Sequence, residues 1–129
     1  MIVVTGGREL AWSLGRIQAQ LLAAVGNRPV AALFHGGARG ADSLADQVAR
    51  RLGWSVRPML AQWSKHGISA GPIRNREMLR SAVATAQQAG VAGGMILVAF
   101  PGGKGTQHCT GMARTLRECG HPISIRSAS

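Results

Sequence analysis

The chain has 129 residues, 46% hydrophobic and 16% charged, a composition that excludes intrinsic disorder and suffices for a core without disulfide or metal staples. Fifteen Lys and Arg residues against five Asp and Glu residues give a formal net charge of +10. This excess favours an anionic partner, either nucleic acid or a phosphorylated small molecule, although a solvated basic surface would explain it equally well.

The first half of the chain alternates apolar strands with amphipathic helices. MIVVTGG (1–7) predicts a strand and its turn, and apolar residues at helical spacing over Leu10–Val25 predict a helix closed by Gly26. PVAALFHGG (29–37) predicts a second strand and turn. A second helix is expected over Ala41–Leu52, and a third strand within WSVRPML (54–60).

The second half continues this alternation after an irregular segment. Residues 61–72, AQWSKHGISAGP, are predicted to form a loop, and a helix is expected from Ile73 onwards. GGMILVAF (93–100) predicts a strand, Cys109–Leu116 a helix, and HPISIRS (121–127) a short last strand.

The alternation predicts an α/β fold, a single Rossmann-like domain over residues 1–129 with a mostly parallel sheet of about five strands and helices on both faces. In such a fold the carboxyl ends of the strands lie along one edge of the sheet, where ligands bind.

Three glycine-rich turns follow predicted strands and should meet at that edge. They read TGGRE (5–9), HGGARGAD (35–42) and FPGGKGT (100–106), and each contains one cation. Amides at helix N-termini favour anions, and glycine lets a phosphate approach the main chain closely. The candidate ligand-binding residues of these turns are Gly6, Gly7, Arg8, Gly36, Gly37, Ala38, Arg39, Gly40, Pro101, Gly102, Gly103, Lys104, Gly105 and Thr106.

Counting excludes two familiar phosphate-binding motifs. A P-loop requires glycine where Val98 stands and Ser or Thr where Gly105 follows the lysine. The second turn has Ala38 where a dinucleotide fingerprint counted from Gly36 requires its next glycine.

Four further residues are candidates for ligand contacts. Arg74 and Asn75 fall in the first turn of the predicted helix, where the arginine either faces solvent or clamps a phosphate or carboxylate. Asp42 either accepts hydrogen bonds from ribose hydroxyls, the role we favour, or stabilises a helix N-terminus. Trp63 either stacks on a base or packs in the core, and packing is favoured.

The remaining reactive side chains predict no cofactor. The four histidines and two cysteines lack metal-ligand spacing, so no metal site is expected. Cys109 and Cys119 would lie about 15 Å apart on one helix, too far for a disulfide. No membrane-spanning run or charged leader with an apolar core is present, and a soluble, cytoplasmic protein is expected.

The motifs GGARGAD, AGPIRN and FPGGKGT, in this order and spacing, resemble the SLOG superfamily of Rossmann-like nucleotide-binding domains, and most closely its YspA-like branch, YAcAr. The superfamily includes the LOG phosphoribohydrolases, which cleave nucleoside 5′-monophosphates, and the DNA-binding DprA proteins. The resemblance implies a nucleotide-like ligand and, from the LOG relatives, a homodimer.

The resemblance to LOG enzymes is incomplete at the catalytic carboxylate. Their signature P-G-G-x-G-T-x-x-E matches Pro101–Thr106, but its glutamate position is Cys109. Their catalytic arginine falls on Arg74, and Asn75 replaces the lysine that follows it. A carboxylate stabilises the positive charge that develops on the ribose, which a neutral thiol cannot do. His108 is expected to be a non-catalytic surface residue, because it points about 100° away from Cys109 on a helix.

Three functions therefore compete. The first is binding of a phosphorylated nucleotide or nucleotide-derived small molecule, as a sensor, carrier or sequestering module. The second is a phosphoribohydrolase with an altered active site. The third is a nucleic-acid-binding protein, disfavoured because single-strand binders interleave aromatic residues with basic ones and aromatics are scarce here.

Overall fold

The computed structural model describes residues 1–26, 28–90 and 94–129. The strands within these residues are β1 (Ile2–Thr5), β2 (Leu33–His35), β3 (Val56–Pro58), β4 (Met95–Ala99) and β5 (Ile123–Ser127). The helices are α1 (Leu14–Val25), α2 (Ala41–Arg51), α3 (Trp63–His66), α4 (Ala70–Gln88) and α5 (Lys104–Glu118), with a turn of 3₁₀ helix at Gly67–Ser69.

All five strands belong to one parallel sheet in the order β3-β2-β1-β4-β5, which confirms the predicted Rossmann-like α/β fold. β1 lies at the centre, where Ile2 pairs with Leu33 of β2 on one side and with Ile96 of β4 on the other. The strand order reverses between β1 and β4, so the chain crosses the sheet there. Ligands of such sheets bind outside the carboxyl ends of the strands at this switch point.

The two faces of the sheet bury separate apolar clusters, because successive side chains of a strand point to opposite faces. Val3 and Leu97 join one cluster with residues of α4 and α5, whereas Val4 and Val98 join the other with residues of α1 and α2. Both faces of β1 and β4 are thus covered by helices. This explains why their sequences are apolar without interruption.

The first helix begins later than its hydrophobic spacing predicts. The side chain of Ser13 accepts a hydrogen bond from the Arg16 amide and caps α1, which begins at Leu14. Leu10 therefore lies outside the helix, half-buried against the cluster on the α1 side. An N-cap hydroxyl decides the start of a helix here, and apolar periodicity alone does not reveal it.

The prediction of a loop over residues 61–72 is wrong. This segment contains α3, the 3₁₀ turn and the first residues of α4, which begins at Ala70 and not at Ile73. Pro72 is the third residue of α4, a first-turn position whose amide needs no helical partner. The density of Gly, Ser and Pro that suggested a loop instead marks two short helical turns.

The part of the predicted fourth strand at Gly93 lies outside the described residues, and β4 begins at Met95. Among the residues described, no helix combines the length and apolar character needed to cross a membrane.

Candidate functional site

A cleft of about 570 Å³ opens at the carboxyl ends of the strands, beside the switch point between β1 and β4. Its volume lies within the range of pockets that hold small molecules and cofactors. The cleft is lined by Val4, Thr5, Gly6, Gly7, Arg8, Gly36, Ala38, Asp42, Trp63, Gly71, Pro72, Arg74, Asn75, Met78, Gly103, Lys104, Gly105, Thr106 and His108.

Gly6 in the first turn and Gly40 at the end of the second allow the turns to pack closely, because neither position has room for a Cβ. A Cβ on Gly6 would lie 2.5 Å from the Cβ of Ala41 and 2.9 Å from that of Phe100. Gly40 has a φ of 75°, and a Cβ there would overlap the carbonyl oxygen of Gly7. That same oxygen accepts from the Ala41 amide, and the Gly7 amide donates to Pro101 O at 2.8 Å. The turns thus bind one another through their main chains.

The amides of the second turn are also occupied within the protein. Oδ2 of Asp42 accepts from the amides of Gly36 and Ala38, both at 3.2 Å. The Gly37 amide donates to His35 Nδ1 at 2.9 Å. These three consecutive amides are consequently not free to bind a phosphate, contrary to the expectation for this turn.

The third turn differs from the other two because its last glycines face open space. Among the described residues, no heavy atom beyond the immediate chain neighbours and the local helix backbone lies within 4 Å of a Cβ built on Gly103 or Gly105. Both glycines are exposed and line the cleft. Gly103 is the N-cap of α5, and within the described part of the chain no side chain caps that helix. The first-turn amides of α5, which have no intrahelical acceptors, therefore lie at the cleft.

Three hydrogen bonds hold Arg74 in place, and one of them joins it to the second turn. Its Nη1 donates to Gly36 O at 2.6 Å and more weakly to Met59 O at 3.5 Å, and its Nε donates to Asn75 Oδ1 at 2.9 Å. A Cβ on Gly36 would collide with the guanidinium, so this glycine makes room for the arginine. The sequence indicated both Arg74 and Asn75, and the structure brings both to the cleft.

Asp42 is 6% exposed and lies at the base of the second turn. Burial raises the pKa of its carboxyl, while hydrogen bonds from the Ala38 and Gly36 amides and the charge of Arg74 act in the opposite direction. Its Oδ2 holds the turn in place, so the structure gives this side chain a part in shaping the cleft wall.

His35 connects the second turn to α2. Because its Nδ1 accepts from Gly37, Nε2 carries the proton that is shared with Asp46 Oδ2 at 2.7 Å. Asp46 also accepts from Arg50 Nε at 2.6 Å, and this bond is the main reason why the pKa of Asp46 is lowered. Sequence reasoning missed this network, because the pairing of His35 with Asp46 requires the strand and the helix to be in place.

Two of the three predicted turn cations line the cleft. Arg8 and Lys104 are both exposed at its rim. Arg39 instead pairs with Glu9 at 2.6 Å in an exposed ion pair outside the cleft. With Arg74, the cleft has three cations against one buried carboxylate, a balance that favours an anion.

Cys109 and His108, neighbours near the start of α5, lie in different surroundings. Cys109 is fully buried, and burial raises the pKa of its thiol to about 11. The neighbouring Thr5 side chain acts on this pKa in the opposite direction, and Cys109 does not line the cleft. His108 is exposed as expected, but it borders the cleft. The residue at the position of the LOG glutamate thus lies under the first turn.

Trp63 is exposed, so the prediction that it packs in the core is wrong. Its side chain keeps 51% of its surface accessible and lines the cleft. Trp63 is the first residue of α3, a short helix within the segment that was expected to be a loop.

Other cleft residues were not indicated by the sequence, and some candidates lie elsewhere. Val4, Thr5, Gly71, Pro72 and Met78 line the cleft, and only their proximity to the glycine turns and Arg74 could have suggested them. The candidates outside the cleft lining are Gly37, Arg39, Gly40, Pro101 and Gly102.

Residues 1–66, just over half of the chain, match the sequence model of the YspA, cpYpsA-related SLOG family, YAcAr. The chain belongs to this SLOG family. The match spans β1 to β3 and the first two glycine turns. The chain is also 42% identical over 98 residues to the Gene 61 protein of Mycobacterium phage D29, an alignment that covers 70% of this chain and 67% of the phage protein. The resemblance expected from the motifs is thereby confirmed.

Membership of the SLOG family is consistent with a nucleotide-related role. The matched region includes the glycine turns after β1 and β2. It includes neither Arg74 nor the glycine turn at the start of α5. Of the three cations of the cleft, Arg8 lies within the matched residues, whereas Arg74 and Lys104 lie beyond them.

Proposed function

We propose that the cleft binds the phosphate of a nucleotide or nucleotide-derived small molecule, and that residues 1–129 form one unit for this purpose. The observation that carries the proposal is the uncapped N-terminus of α5, where Gly103 and Gly105 leave the main chain bare. Helix N-termini bind anions through free amides and the positive end of the helix dipole. The absent Cβ atoms let a phosphate oxygen reach those amides.

Three side chains complete the proposed phosphate site. Lys104 begins α5 and Arg8 lies at the rim, so both can neutralise charge on the phosphate. Arg74 uses Nε and Nη1 to hold its place and keeps Nη2 for a ligand. An arginine fixed in this way loses little entropy when it binds an anion. The hydroxyl of Thr106 adds one further donor at the start of α5.

We infer binding without hydrolysis of the N-glycosidic bond. Cys109 is buried and its thiol pKa is raised to about 11, so the thiol supplies neither a carboxylate nor a thiolate to the cleft. Asp42 is the one carboxylate among the cleft-lining residues, and its Oδ2 already holds two amides.

Nucleic acid is the second anionic partner that the charge allows. Successive stacking platforms usually accompany the basic groove of a single-strand binder. Trp63 is the one Trp, Phe or Tyr side chain that lines the cleft within the described residues. This geometry favours a single nucleotide over a strand.

The proposal is tested by thermal unfolding with AMP and with adenosine. AMP at 100 times its Kd should stabilise the protein by about 2.7 kcal/mol, and thereby raise the Tm by roughly 10 °C. Adenosine at the same concentration should raise it far less, because it lacks the phosphate. Equal shifts from both would refute a phosphate site.

The chain offers a matched control in its only two lysines, Lys104 and Lys65. Lys104→Ala should reduce the AMP-induced shift, whereas Lys65→Ala, which removes the same charge outside the cleft lining, should leave it intact. Release of free adenine from AMP by the wild-type protein would contradict binding without hydrolysis.

A further inference from the structure

Trp63 differs from the other two tryptophans in its surroundings. The ring of Trp12 packs edge-on against Phe100, with centroids 5.7 Å apart, and the Arg16 guanidinium lies 3.6 Å from its centroid. Trp54 packs against the apolar cluster on the α1 side of the sheet. Trp63 alone of the three is more than half exposed. A large apolar ring at the mouth of a polar cleft requires an explanation beyond core packing.

The indole borders two cavities at once. One is the cleft described above, and the other is a neighbouring hollow of about 490 Å³, which shares Arg8, Gly36, Ala38 and Arg74 with it. The α4 helix supports one side of the ring, since a Cβ on Gly71 would lie 3.6 Å from Cη2 of Trp63. Trp63 therefore lines both cavities, with its ring resting against α4.

The position of Trp63 in the cleft and the chemistry of its ring indicate which part of a ligand it would contact. The uncapped end of α5 and Trp63 line one cleft, whose volume suits a ligand of drug or cofactor size. A nucleotide carries a phosphate and an aromatic base on either side of its ribose. An exposed indole offers such a base a stacking surface, and this contact tolerates any base.

We propose that Trp63 is the stacking platform for the base, so that the ligand class is a nucleotide with an intact aromatic base and not a sugar phosphate. This inference rests on the proposed phosphate site, with the phosphate at α5 and the base at Trp63. Purines, which have the larger ring system, stack better than pyrimidines.

Two probes separate the inference from the proposed function. AMP and ribose 5-phosphate share the phosphate and the ribose, and only AMP has a base. By calorimetry, Trp63→Ala should weaken AMP binding by about 5- to 150-fold, the range that loss of one stacked base produces. It should leave the Kd for ribose 5-phosphate unchanged, which also shows that the variant is folded. Trp63→Phe should restore most of the AMP affinity.

Tryptophan fluorescence supplies an independent readout. Binding of AMP should quench the emission of the wild-type protein, and Trp63→Phe should abolish the quenching while Trp12→Phe preserves it.

The outcomes are distinguishable. Equal losses of AMP and ribose 5-phosphate in Trp63→Ala would overturn the inference, because the indole would then act on the fold or the phosphate end. An unchanged Kd for AMP would overturn it as well. Failure of the wild-type protein to bind either probe would overturn the proposed function and with it this inference.

Discussion

The glycine turns after β1 and β2 differ from the turn after β4 in what lies against their main chains. Around Gly6 and Gly40, atoms of the neighbouring turns occupy the space that a Cβ would need. Around Gly103 and Gly105 that space is open, and the adjacent helix has no cap. Similar glycine-rich sequences therefore serve different ends. The first two turns and the start of the third build a frame, whereas the end of the third leaves its main chain exposed.

Replacing Gly40 by alanine tests the frame and should have the largest effect. The new Cβ meets the carbonyl of Gly7, and the residue must keep a φ of 75°. A backbone with a φ of 75° and a ψ of −125°, which almost only glycine adopts, costs about 1–3 kcal/mol, and the overlap adds about 1–3 kcal/mol, so a loss of about 4 kcal/mol in unfolding free energy is expected. Urea unfolding measures it.

Gly15→Ala is the control for this substitution, because a Cβ at Gly15 has no heavy atom within 4 Å apart from local backbone. A loss below about 1 kcal/mol in Gly40→Ala would show that the turns can separate at little cost, and the comparison between frame and open turn would fail.

The buried thiol beneath the first turn gives a second test, through pH. The pKa of Cys109 is raised from 9.0 to about 11 in the folded protein. The resulting stability is fully present below pH 9 and is lost as the pH rises towards 11, because the unfolded chain releases its proton first. A fall of about 2–3 kcal/mol in unfolding free energy across this window is expected.

Cys119 is exposed and provides the matched variant. Urea unfolding between pH 8.5 and 10.5 should show the fall in Cys119→Ala and lose it in Cys109→Ala, whatever the absolute stability of that variant. The chain has no Tyr that would titrate in the same range. A fall that persists in Cys109→Ala would show that the thiol under the turn is not its source.

Replacing Gly105 by alanine tests the open turn and should have the smallest effect on stability. No protein atom opposes the new Cβ, so the gain in helix propensity should raise the unfolding free energy by up to about 1 kcal/mol. The same methyl group would stand where the phosphate approaches, and the AMP-induced rise in Tm should shrink.

Gly15 occupies the matching second position of α1, and Gly15→Ala should stabilise the protein similarly without changing the AMP response. An unchanged AMP response in Gly105→Ala would place the ligand away from this turn.

The fold could be predicted from sequence because its signals are local. Apolar runs followed by glycine marked β1, β2 and β4, and the rule for parallel sheets then placed their turns at one edge. The arginine of AGPIRN and the open turn of α5 were also foreseeable, since both are contiguous motifs. These predictions needed no knowledge of side-chain contacts.

Which turns have their amides occupied within the protein could not be predicted, because this depends on contacts between distant segments. Nothing in GGARGAD shows that Asp42 and His35 occupy the three amides of that turn. The exposure of Trp63 was missed because residues 61–72 form two short helical turns, which lack the apolar periodicity of longer helices.

The pairing of β1 with β4 also determines when the cleft can form. Ile2 pairs with Ile96, so the two turns beside the switch point meet only after a long stretch of chain has been closed into a loop. Sheets built from contacts so distant in sequence have high contact order and fold slowly. An intermediate that contained only β1, β2 and β3 would have its first two turns but no α5 terminus. The proposed phosphate site therefore requires both β4 and α5 to be in place, and AMP added during refolding should be captured no earlier than these elements form.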